Sequence, residues 1–157
     1  MRFVLIAAAL VSTLFTVASA GADETANVTT AKRVFLEKMG QGRFDRLDEI
    51  YGPGFVAHGS SGDYTLDEDN ESGRLWRQAF PDLKVEVLRT VADESFVAVH
   101  WSGSGTNTVA AAGMPGKGAR GAIEGMTIFR FANGRIVEEW SLIDMATLMK
   151  QMSAVPK

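Results

Sequence analysis

The spacing of apolar residues divides the chain into a first half with helical periodicity and a second half with alternating periodicity. Apolar side chains recur every three or four residues over 28–39, after which glycines break the run. The same spacing returns over 44–51 and stops at Gly52-Pro53-Gly54. These patterns predict two helices, the second one short, that pack on the same core.

A third helix is predicted by a capping signal at its start and a proline at its end. Thr65 and Glu68 have the spacing of a capping box, in which both side chains bind free amide groups of the first helical turn. Trp76 and Phe80 mark its buried side. Pro81 ends the helix because the residue before a proline avoids helical backbone angles.

Alternating apolar and polar residues after Pro81 predict a sheet in the second half of the chain. The strands are expected at residues 83–92, 95–106, 119–132 and 135–143. The glycine-rich stretch AAAGMPGKGAR joins the middle two strands, and it is interpreted as a hairpin loop because it lacks the Lys-Ser/Thr ending of a phosphate-binding loop. Apolar residues at helical spacing over 145–152 predict a final short helix that packs on the core.

Asn133-Gly134 is the strongest turn signal in the sequence and predicts the register of the last hairpin. A two-residue type I′ turn needs positive φ at both positions, which asparagine and glycine tolerate. Residues paired outward from this turn alternate between the two faces of the sheet. On the apolar face the expected pairs are Phe131 with Ile136, Phe129 with Glu138, Thr127 with Trp140 and Gly125 with Leu142. Glu139 is then predicted to lie on the solvent face, diagonal to Arg130.

Glu138 is the strongest candidate for chemistry because this register places its carboxyl beside Phe129 and Trp140. Desolvation disfavours a charged carboxylate, so the pKa of such a group rises toward the range useful for proton transfer. The alternative is a structural glutamate held by Arg74 or Arg77 of the third helix. The sequence leaves both interpretations open.

Asp144 is a second acidic candidate at the end of the same strand. It lies roughly 20 Å beyond Glu138 if the strand is extended at ~3.3 Å per residue, so the two carboxyls cannot share a proton directly. An aspartate just before a helix is usually its N-cap. Capping near the pocket rim is therefore the favoured role for Asp144, and a catalytic role is the alternative.

The tryptophans are either cavity walls or ordinary core residues. Trp101 is predicted to face inward because it shares a side with the valines at 97 and 99, which turns His100 outward. Trp76 and Trp140 are the other two candidates, and aromatic residues at such positions are more often core packing than ligand contacts. Two histidines, no cysteine and no metal-ligand spacing predict that there is no metal site.

The N-terminus has the pattern of a secretory signal peptide. Arg2 precedes an unbroken apolar stretch, which is shorter than the ~20 residues of a membrane span and ends at Ala18-Ser19-Ala20. Cleavage near Ala20 predicts a periplasmic or secreted protein that has no contact with the membrane afterwards. The expected organisation is a signal peptide over 1–20, a loose segment over 21–27, one domain over 28–152 and a tail over 153–157.

Charge and cysteine content exclude several classes of partner and scaffold. The net charge is −3, the isoelectric point is about 5.4 and no run of Lys or Arg occurs, so neither nucleic acid nor an anionic membrane surface is an expected partner. Without cysteine the chain cannot be a disulfide scaffold, and its stability must come from a packed core. A small molecule is the expected partner.

Several motifs together resemble the SnoaL-like polyketide cyclase family, also called ester cyclases, of the nuclear transport factor 2-like superfamily. The motifs are AFPDL, FVAVHWSGSGTNT, GMPGKG and MTIFRFANGRIVEEWSLIDMATLMKQM, and the resemblance covers residues 28–152. It implies an α+β cone in which about three helices pack on a strongly curved, mostly antiparallel sheet, with a short C-terminal helix. It also implies an apolar pocket and a homodimer formed through the sheet.

The resemblance implies positions for chemistry as well. Cyclases that close rings by an intramolecular aldol reaction use an acid/base aspartate and a nearby histidine, which correspond here to Ser141 and Thr127. Serine and threonine do not exchange protons near neutral pH unless another base activates them. A histidine found in many relatives corresponds to Asn107, and His58 matches a histidine at the pocket mouth.

Two functions from different classes follow from these observations. The first is a cofactor-independent acid/base enzyme of cyclase, isomerase or lyase type that acts on a small hydrophobic carbonyl compound, with Glu138 as the proton carrier and Asp144 as a further candidate. Its expected ligand contacts are Trp140, Phe129, Thr127, Trp101, Asn107, Trp76, Phe80 and His58. The second is an exported binding module for a small hydrophobic ligand, and the fold alone does not choose between them.

Overall fold

The computed structural model describes residues 20–59 and 62–153, which form three α-helices on a six-stranded sheet. The helices are α1 (Ala20–Arg33), α2 (Leu66–Ala79) and α3 (Met145–Ser153), and the strands are β1 (Tyr51–Gly59), β2 (Gly62–Tyr64), β3 (Lys84–Ala92), β4 (Phe96–Asn107), β5 (Ala119–Ala132) and β6 (Arg135–Ile143). The sheet order is β2-β1-β6-β5-β4-β3, and only the pair of β1 with β6 is parallel. The predicted α+β fold with a mostly antiparallel sheet is confirmed.

The first third of the chain differs from the prediction in two places. The segment 21–27, predicted to be loose, belongs to α1, which continues into a π-helical stretch, Val34–Met39. The predicted helix over 44–51 is wrong, because only a 3-10 turn, Leu47–Glu49, precedes β1.

The predicted signal peptide falls almost wholly on residues 1–19, which lie outside the described residues. None of the described helices is long and apolar enough to cross a membrane.

The capping box predicted at the start of α2 is confirmed. Thr65 Oγ1 accepts a hydrogen bond from the Glu68 backbone, and Glu68 Oε2 accepts one from the Thr65 backbone at 2.8 Å. The helix ends at Ala79. The next residue, Phe80, has non-helical backbone angles, with φ −127°. These two ends orient α2 so that Trp76 and Phe80 face the sheet, where Phe80 is buried.

Two clusters of buried side chains hold the helices on the concave face of the sheet. One contains Phe35 and Phe129, and the other contains Phe80 together with Leu148 of α3. Gly121 of β5 allows α3 to approach closely, since a Cβ atom there would lie 2.7 Å from Leu148 Cδ1. Members of both clusters line a cavity, which therefore lies where the two clusters meet.

The last hairpin contains a β-bulge that was not predicted from the sequence. Asn133 and Gly134 have φ of 52° and 72°, as the predicted turn requires, and Phe131 pairs with Ile136 as expected. Beyond this pair β6 has one extra residue, Val137. As a result Arg130 pairs with Glu138, Phe129 with Glu139, Ile128 with Trp140 and Thr127 with Ser141. The predicted pairs of Phe129 with Glu138, Thr127 with Trp140 and Gly125 with Leu142 are wrong, and residues 138–142 face the opposite sides from those predicted.

The parallel neighbour β1 is irregular at the same place as the bulge in β6. β1 pairs with β6 at Tyr51 and again from Val56, with a register shift between the two points. The Ile136 backbone N–H donates to the Ile50 carbonyl at 2.9 Å, and a Cβ atom at Gly52 would lie 2.9 Å from Val137 Cγ1. Val137 is therefore the extra residue of β6 relative to β5, and it lies beside the irregular start of β1.

Candidate active site

A cavity of about 190 Å³ lies between the helices and the concave face of the sheet. Its apolar wall includes Trp76, Phe80, Leu83, Trp101, Ile123 and Leu148. Its main polar side chains are Lys38, Asp69, Thr127, Glu139 and Ser141. An apolar cavity with a few convergent polar groups is the usual form of a small-molecule site.

Glu139 enters the cavity from β6 and accepts the last bond of a hydrogen-bond chain. Trp101 Nε1 donates to Thr127 Oγ1 at 3.1 Å, Thr127 Oγ1 and Ser141 Oγ are 2.8 Å apart, and Ser141 Oγ donates to Glu139 Oε1 at 2.8 Å. Because an indole N–H can only donate and the Ser141 hydrogen is directed to Glu139, the Thr127 hydroxyl donates to Ser141. Oε1 is therefore held as an acceptor, while Oε2 has no hydrogen-bond partner among the described residues.

The carboxyl of Glu139 titrates near neutral pH. Burial raises its pKa to about 7, and the negative charge of Asp69 acts in the same direction, whereas Lys38 and the hydrogen bond from Ser141 oppose the rise. In the sheet Glu139 lies directly opposite Phe129, so an apolar neighbour replaces water on that side. A carboxyl with this pKa is present in both protonation states at neutral pH, which suits a group that takes and returns protons.

Lys38 is the buried cation of the cavity. It lies in the π-helical stretch that follows α1, a type of irregularity that often occurs at functional sites, and it is only 2 % exposed. Its Nζ donates to Asp69 Oδ2 at 2.5 Å and to the Tyr51 hydroxyl at 3.0 Å. Burial, with the charges of Glu139 and Asp69, raises the pKa of Tyr51 well above its usual range, so this phenol stays neutral.

Four of the ligand contacts predicted from the sequence line the cavity. Trp76 and Phe80 reach it from the end of α2, Trp101 from β4 and Thr127 from β5. Trp101 faces inward and His100 outward, as predicted, and His100 Nε2 lies 2.9 Å from Glu124 on the outer face. The contact of these side chains with a ligand stays a prediction.

Glu138, Trp140 and His58 do not line the cavity. Because of the bulge Glu138 lies on the outer face, where Arg130 Nε donates to its carboxylate and holds its pKa below the ordinary value. Trp140 stacks on His58 there, with ring centroids 4.8 Å apart. The predicted inward carboxyl at Glu138 is wrong, and so are its alternative partners, since Arg77 binds the Met39 and Gly40 carbonyls and Arg74 pairs with Glu71.

Three further candidates have structural roles away from the cavity wall. Phe129 is fully buried behind the wall and contacts Phe35. Asn107 donates to the Ala79 and Val109 carbonyls and accepts from the Gly116 backbone, so it holds the glycine-rich loop against α2. Asp144 caps α3, as the favoured interpretation predicted, by accepting from the Thr147 backbone at 3.0 Å.

Sequence reasoning missed the three charged residues of the cavity. Lys38 follows Val34 and Phe35 by four and three residues, which places a lysine on the apolar face of the first helix. Asp69 lies seven residues before Trp76, which is about two helical turns, so the two side chains share one face of α2. These two signals were present in the sequence. Glu139 had none, because its direction depends on the bulge at Val137.

No group of His, Asp or Glu side chains within residues 20–59 and 62–153 is arranged to hold a metal ion. Helices packed across a curved, mostly antiparallel sheet, with a titratable carboxyl in the cavity between them, define a cone of the nuclear transport factor 2-like class. The chain belongs to the SnoaL-like polyketide cyclase family, which it matches over residues 29–152. This range contains every residue that lines the cavity.

Solved structures of similar proteins share this fold. A candidate SnoaL-like polyketide cyclase from Jannaschia sp. CCS1 is 25% identical, with a TM-score of 0.74 over 85% of this chain and 95% of that one. AclR, a candidate hydroxylase from Streptomyces galilaeus, is 20% identical, with a TM-score of 0.74 over 85% and 99%. IdmH, a candidate polyketide cyclase from Streptomyces antibioticus, is 22% identical, with a TM-score of 0.71 over 82% and 99%. A comparison with curated protein sequences finds no match.

Proposed function

We propose that this protein is an acid/base enzyme that acts on a small, largely apolar carbonyl compound, with Glu139 as the proton carrier. The observation that carries the proposal is a carboxyl with a pKa of about 7 inside an apolar cavity, held through one oxygen by Ser141. A group whose pKa lies near the working pH transfers protons efficiently in both directions. The chemistry requires only side chains of this chain.

In the proposed reaction Glu139 Oε2 takes a proton from the carbon beside a carbonyl group. The electron pair of that C–H bond forms a carbon–carbon double bond, and the carbonyl π electrons move to the oxygen. The ligand is then an enolate with its negative charge on this oxygen. Protonated Glu139 then gives its proton back to the ligand and regenerates the carboxylate. Return to a different carbon isomerises the ligand, whereas attack of the enolate carbon on a second carbonyl closes a ring, and the proton goes to the new alkoxide.

The absence of a carboxylate at position 141 is compatible with this proposal. The family resemblance aligned the acid/base aspartate of aldol cyclases with Ser141, which cannot exchange protons by itself near neutral pH. Glu139 lies two residues earlier on the same face of β6 and accepts a hydrogen bond from Ser141. A longer side chain at the neighbouring inward position thus supplies the carboxyl, and Ser141 positions it.

The alternative function is a binding module that holds a hydrophobic ligand without reaction. Such a module needs an apolar cavity and a few polar contacts, and both are present. It does not need a carboxyl that titrates near pH 7, since burial of this group destabilises its charged form. The position of Glu139 therefore favours the enzyme.

The test compares Glu139→Gln with Glu138→Gln in the exchange of the α-protons of 2-tetralone for deuterium, followed by NMR. Loss of the base should slow exchange at least about 100-fold in the Glu139 variant. The Glu138 variant alters the adjacent residue of the same strand, outside the cavity, and should exchange at the wild-type rate. Wild-type exchange in the Glu139 variant would show that this carboxyl is not the base. Ligand binding without any exchange by the wild-type protein would favour the binding module.

A further inference from the structure

Lys38 lines the cavity and leaves part of its hydrogen-bonding capacity unused. Its ammonium group has three N–H donors, of which one binds Asp69 and one binds the Tyr51 hydroxyl. Among the described residues the third N–H has no partner, although Lys38 is 2 % exposed and lines the cavity. A buried donor of this kind is costly unless a ligand atom satisfies it.

We propose that Lys38 binds the carbonyl oxygen of the ligand, and that the cavity selects uncharged carbonyl compounds over carboxylates. The assignment of this oxygen to the reaction rests on the proposed function, whereas the binding preference stands without it. The ligand would place an oxygen acceptor against Lys38 Nζ and a weakly acidic C–H bond against Glu139 Oε2. Ketones and 1,3-dicarbonyl compounds have this pair of groups on neighbouring atoms.

The charges of the cavity explain why the ligand should be neutral. Asp69 already balances the charge of Lys38 at 2.5 Å, so a ligand meets no net positive charge from this pair. When Glu139 is ionised, the cavity carries one excess negative charge, and a carboxylate ligand would add a second in an apolar surrounding. A carbonyl oxygen adds no charge and still accepts the free N–H.

The same charges suit the formation of an enolate. Proton transfer from the ligand to Glu139 removes the negative charge from this carboxyl and creates one on the ligand oxygen beside Lys38. The total charge inside the cavity stays constant, so no additional charge has to be desolvated during the step. A cation that is already oriented by Asp69 and Tyr51 then stabilises the oxyanion without rearrangement.

A different use of a buried lysine is the formation of an imine with a ketone, which requires a neutral amine. Lys38 Nζ instead donates to the Asp69 carboxylate at 2.5 Å and to the Tyr51 hydroxyl at 3.0 Å, and the contact with Asp69 has the geometry of an ion pair. The structure therefore assigns Lys38 the role of a hydrogen-bond donor to the ligand rather than that of a nucleophile. The two roles give opposite results when bound ligand is treated with borohydride.

The first experiment uses 4-nitrophenol, whose phenolate form imitates an enolate and absorbs visible light. Wild-type protein should lower the apparent pKa of the bound phenol by about one unit or more, because the phenol proton passes to Glu139 while Lys38 receives the oxyanion, so the total charge of the cavity stays constant. The double variant Lys38→Met/Asp69→Asn removes both charges of the pair, so neither residue is left as a charge without its partner, and it should lose this shift. Lys84→Met, which alters an exposed lysine of β3, is the matched control and should keep the shift.

The second experiment measures the preference of the cavity for a neutral ligand over a carboxylate, which the loss of Asp69 should weaken. Wild-type protein should bind 4-nitroacetophenone at least about tenfold more tightly than 4-nitrobenzoate, measured by quenching of tryptophan fluorescence. Asp69→Asn removes one negative charge from the cavity, so that Glu139 is the only acidic group left among the described residues that line it with Lys38, and it should raise the affinity for 4-nitrobenzoate about tenfold. This variant keeps Lys38 and therefore gives an independent result if the double variant does not fold.

Three outcomes would overturn the inference. The first is a folded double variant that lowers the pKa of bound 4-nitrophenol as much as wild type does. The second is an Asp69→Asn variant with no gain in affinity for 4-nitrobenzoate. The third is a covalent adduct of 4-nitroacetophenone on Lys38 after borohydride reduction. The proposed base is tested separately by Glu139→Gln. If this variant keeps wild-type exchange while the phenol shift still depends on Lys38, the proposed base is wrong and the oxygen site stands. If Glu139→Gln loses exchange but the phenol shift does not depend on Lys38, Glu139 stands as the base and the proposed role of Lys38 is wrong.

Discussion

Glu138 and Glu139 are adjacent in sequence, yet their surroundings move the two pKa values in opposite directions. Burial raises the pKa of Glu139 to about 7, with Asp69 adding to the effect. On the outer face, the guanidinium of Arg130 holds the pKa of Glu138 below its ordinary value. Solvation and the nearest charge, rather than residue type, therefore decide which carboxyl suits proton transfer.

The stability of the folded protein should reveal the raised pKa of Glu139. Between pH 4.5, the ordinary value, and about 7, the folded protein binds more protons than the unfolded chain, so its stability falls as pH rises through this window. Glu139→Gln cannot ionise and keeps an acceptor for Ser141. At pH 8 it should be more stable than wild type by about 1–3 kcal/mol, with a much smaller difference at pH 5, as measured by urea unfolding.

Glu138→Gln is the control for this stability prediction. The pKa of Glu138 is lowered, so its stabilising effect is present above its ordinary pKa and is lost only as pH falls through the lowered value. The stability difference between this variant and wild type should therefore be nearly constant from pH 5 to 8. A Glu139 variant whose stability relative to wild type does not rise with pH over this range would contradict the raised pKa.

At the scale of elements, the docking of α3 on β5 closes one side of the cavity. Asp144 caps the start of α3, and Leu148 packs over Gly121 as part of the cavity wall. Near the end of the helix, the side-chain amide of Gln151 binds the backbone of Ala122, with its Oε1 accepting at 2.6 Å and its Nε2 donating at 3.0 Å. The helix is thus held by a cap, by packing and by a two-point hydrogen bond.

A larger residue at Gly121 should displace α3. A Cβ atom at this position would lie 2.7 Å from Leu148 Cδ1 and 2.8 Å from Met152 Cε. Gly121→Val should therefore lower the free energy of unfolding by about 1–3 kcal/mol and weaken ligand binding in the cavity. Thermal unfolding and tryptophan quenching measure the two effects. Ala122→Val enlarges the next, exposed position and should change neither, and equal effects in both variants would argue against this packing.

At the scale of the whole molecule, the outer face of the sheet carries an apolar surface. Its exposed members are Phe96, Met126, Ile128, Trp140 and Leu142. The bulge in β6 contributes to this surface because it turns Trp140 and Leu142 outward instead of inward. Contiguous exposed apolar residues usually mark a contact with another molecule. The homodimer implied by the family resemblance stays a prediction, and this face is the proposed contact.

The predicted homodimer can be tested with charges on the outer face. Met126 and Leu142 pair across β5 and β6 and are 57 % and 80 % exposed. Wild-type protein should sediment as a dimer in analytical ultracentrifugation, whereas Met126→Glu/Leu142→Glu should sediment as a monomer, since charges are depleted from interface cores. Leu36→Glu, on the π-helical stretch, should remain dimeric. Monomeric wild-type protein, or a dimeric double variant, would exclude this interface.

Much of the fold could be predicted because its signals are local. The capping box at Thr65, the stop at Pro81 and the turn at Asn133-Gly134 all occur in the structure. Four strands were predicted within a residue of their observed bounds. β1 was missed because its first residues continue a helical spacing and its pairing partner, β6, lies far away in sequence. Export stays a prediction, since residues 1–19 lie outside the described residues.

The sequence by itself determined that the chain forms helices followed by an antiparallel sheet, because caps, turns and periodicity act over a few residues. It also determined that an acidic pair lies in the last strand. Only the tertiary structure decided that Glu139 faces the cavity, because its direction depends on the bulge at Val137, which exists only in the pairing of β6 with β5 and has no local sequence signal. The contact between Lys38 and Asp69 was likewise decided by packing, since the two residues meet only when α2 lies against the π-helical stretch.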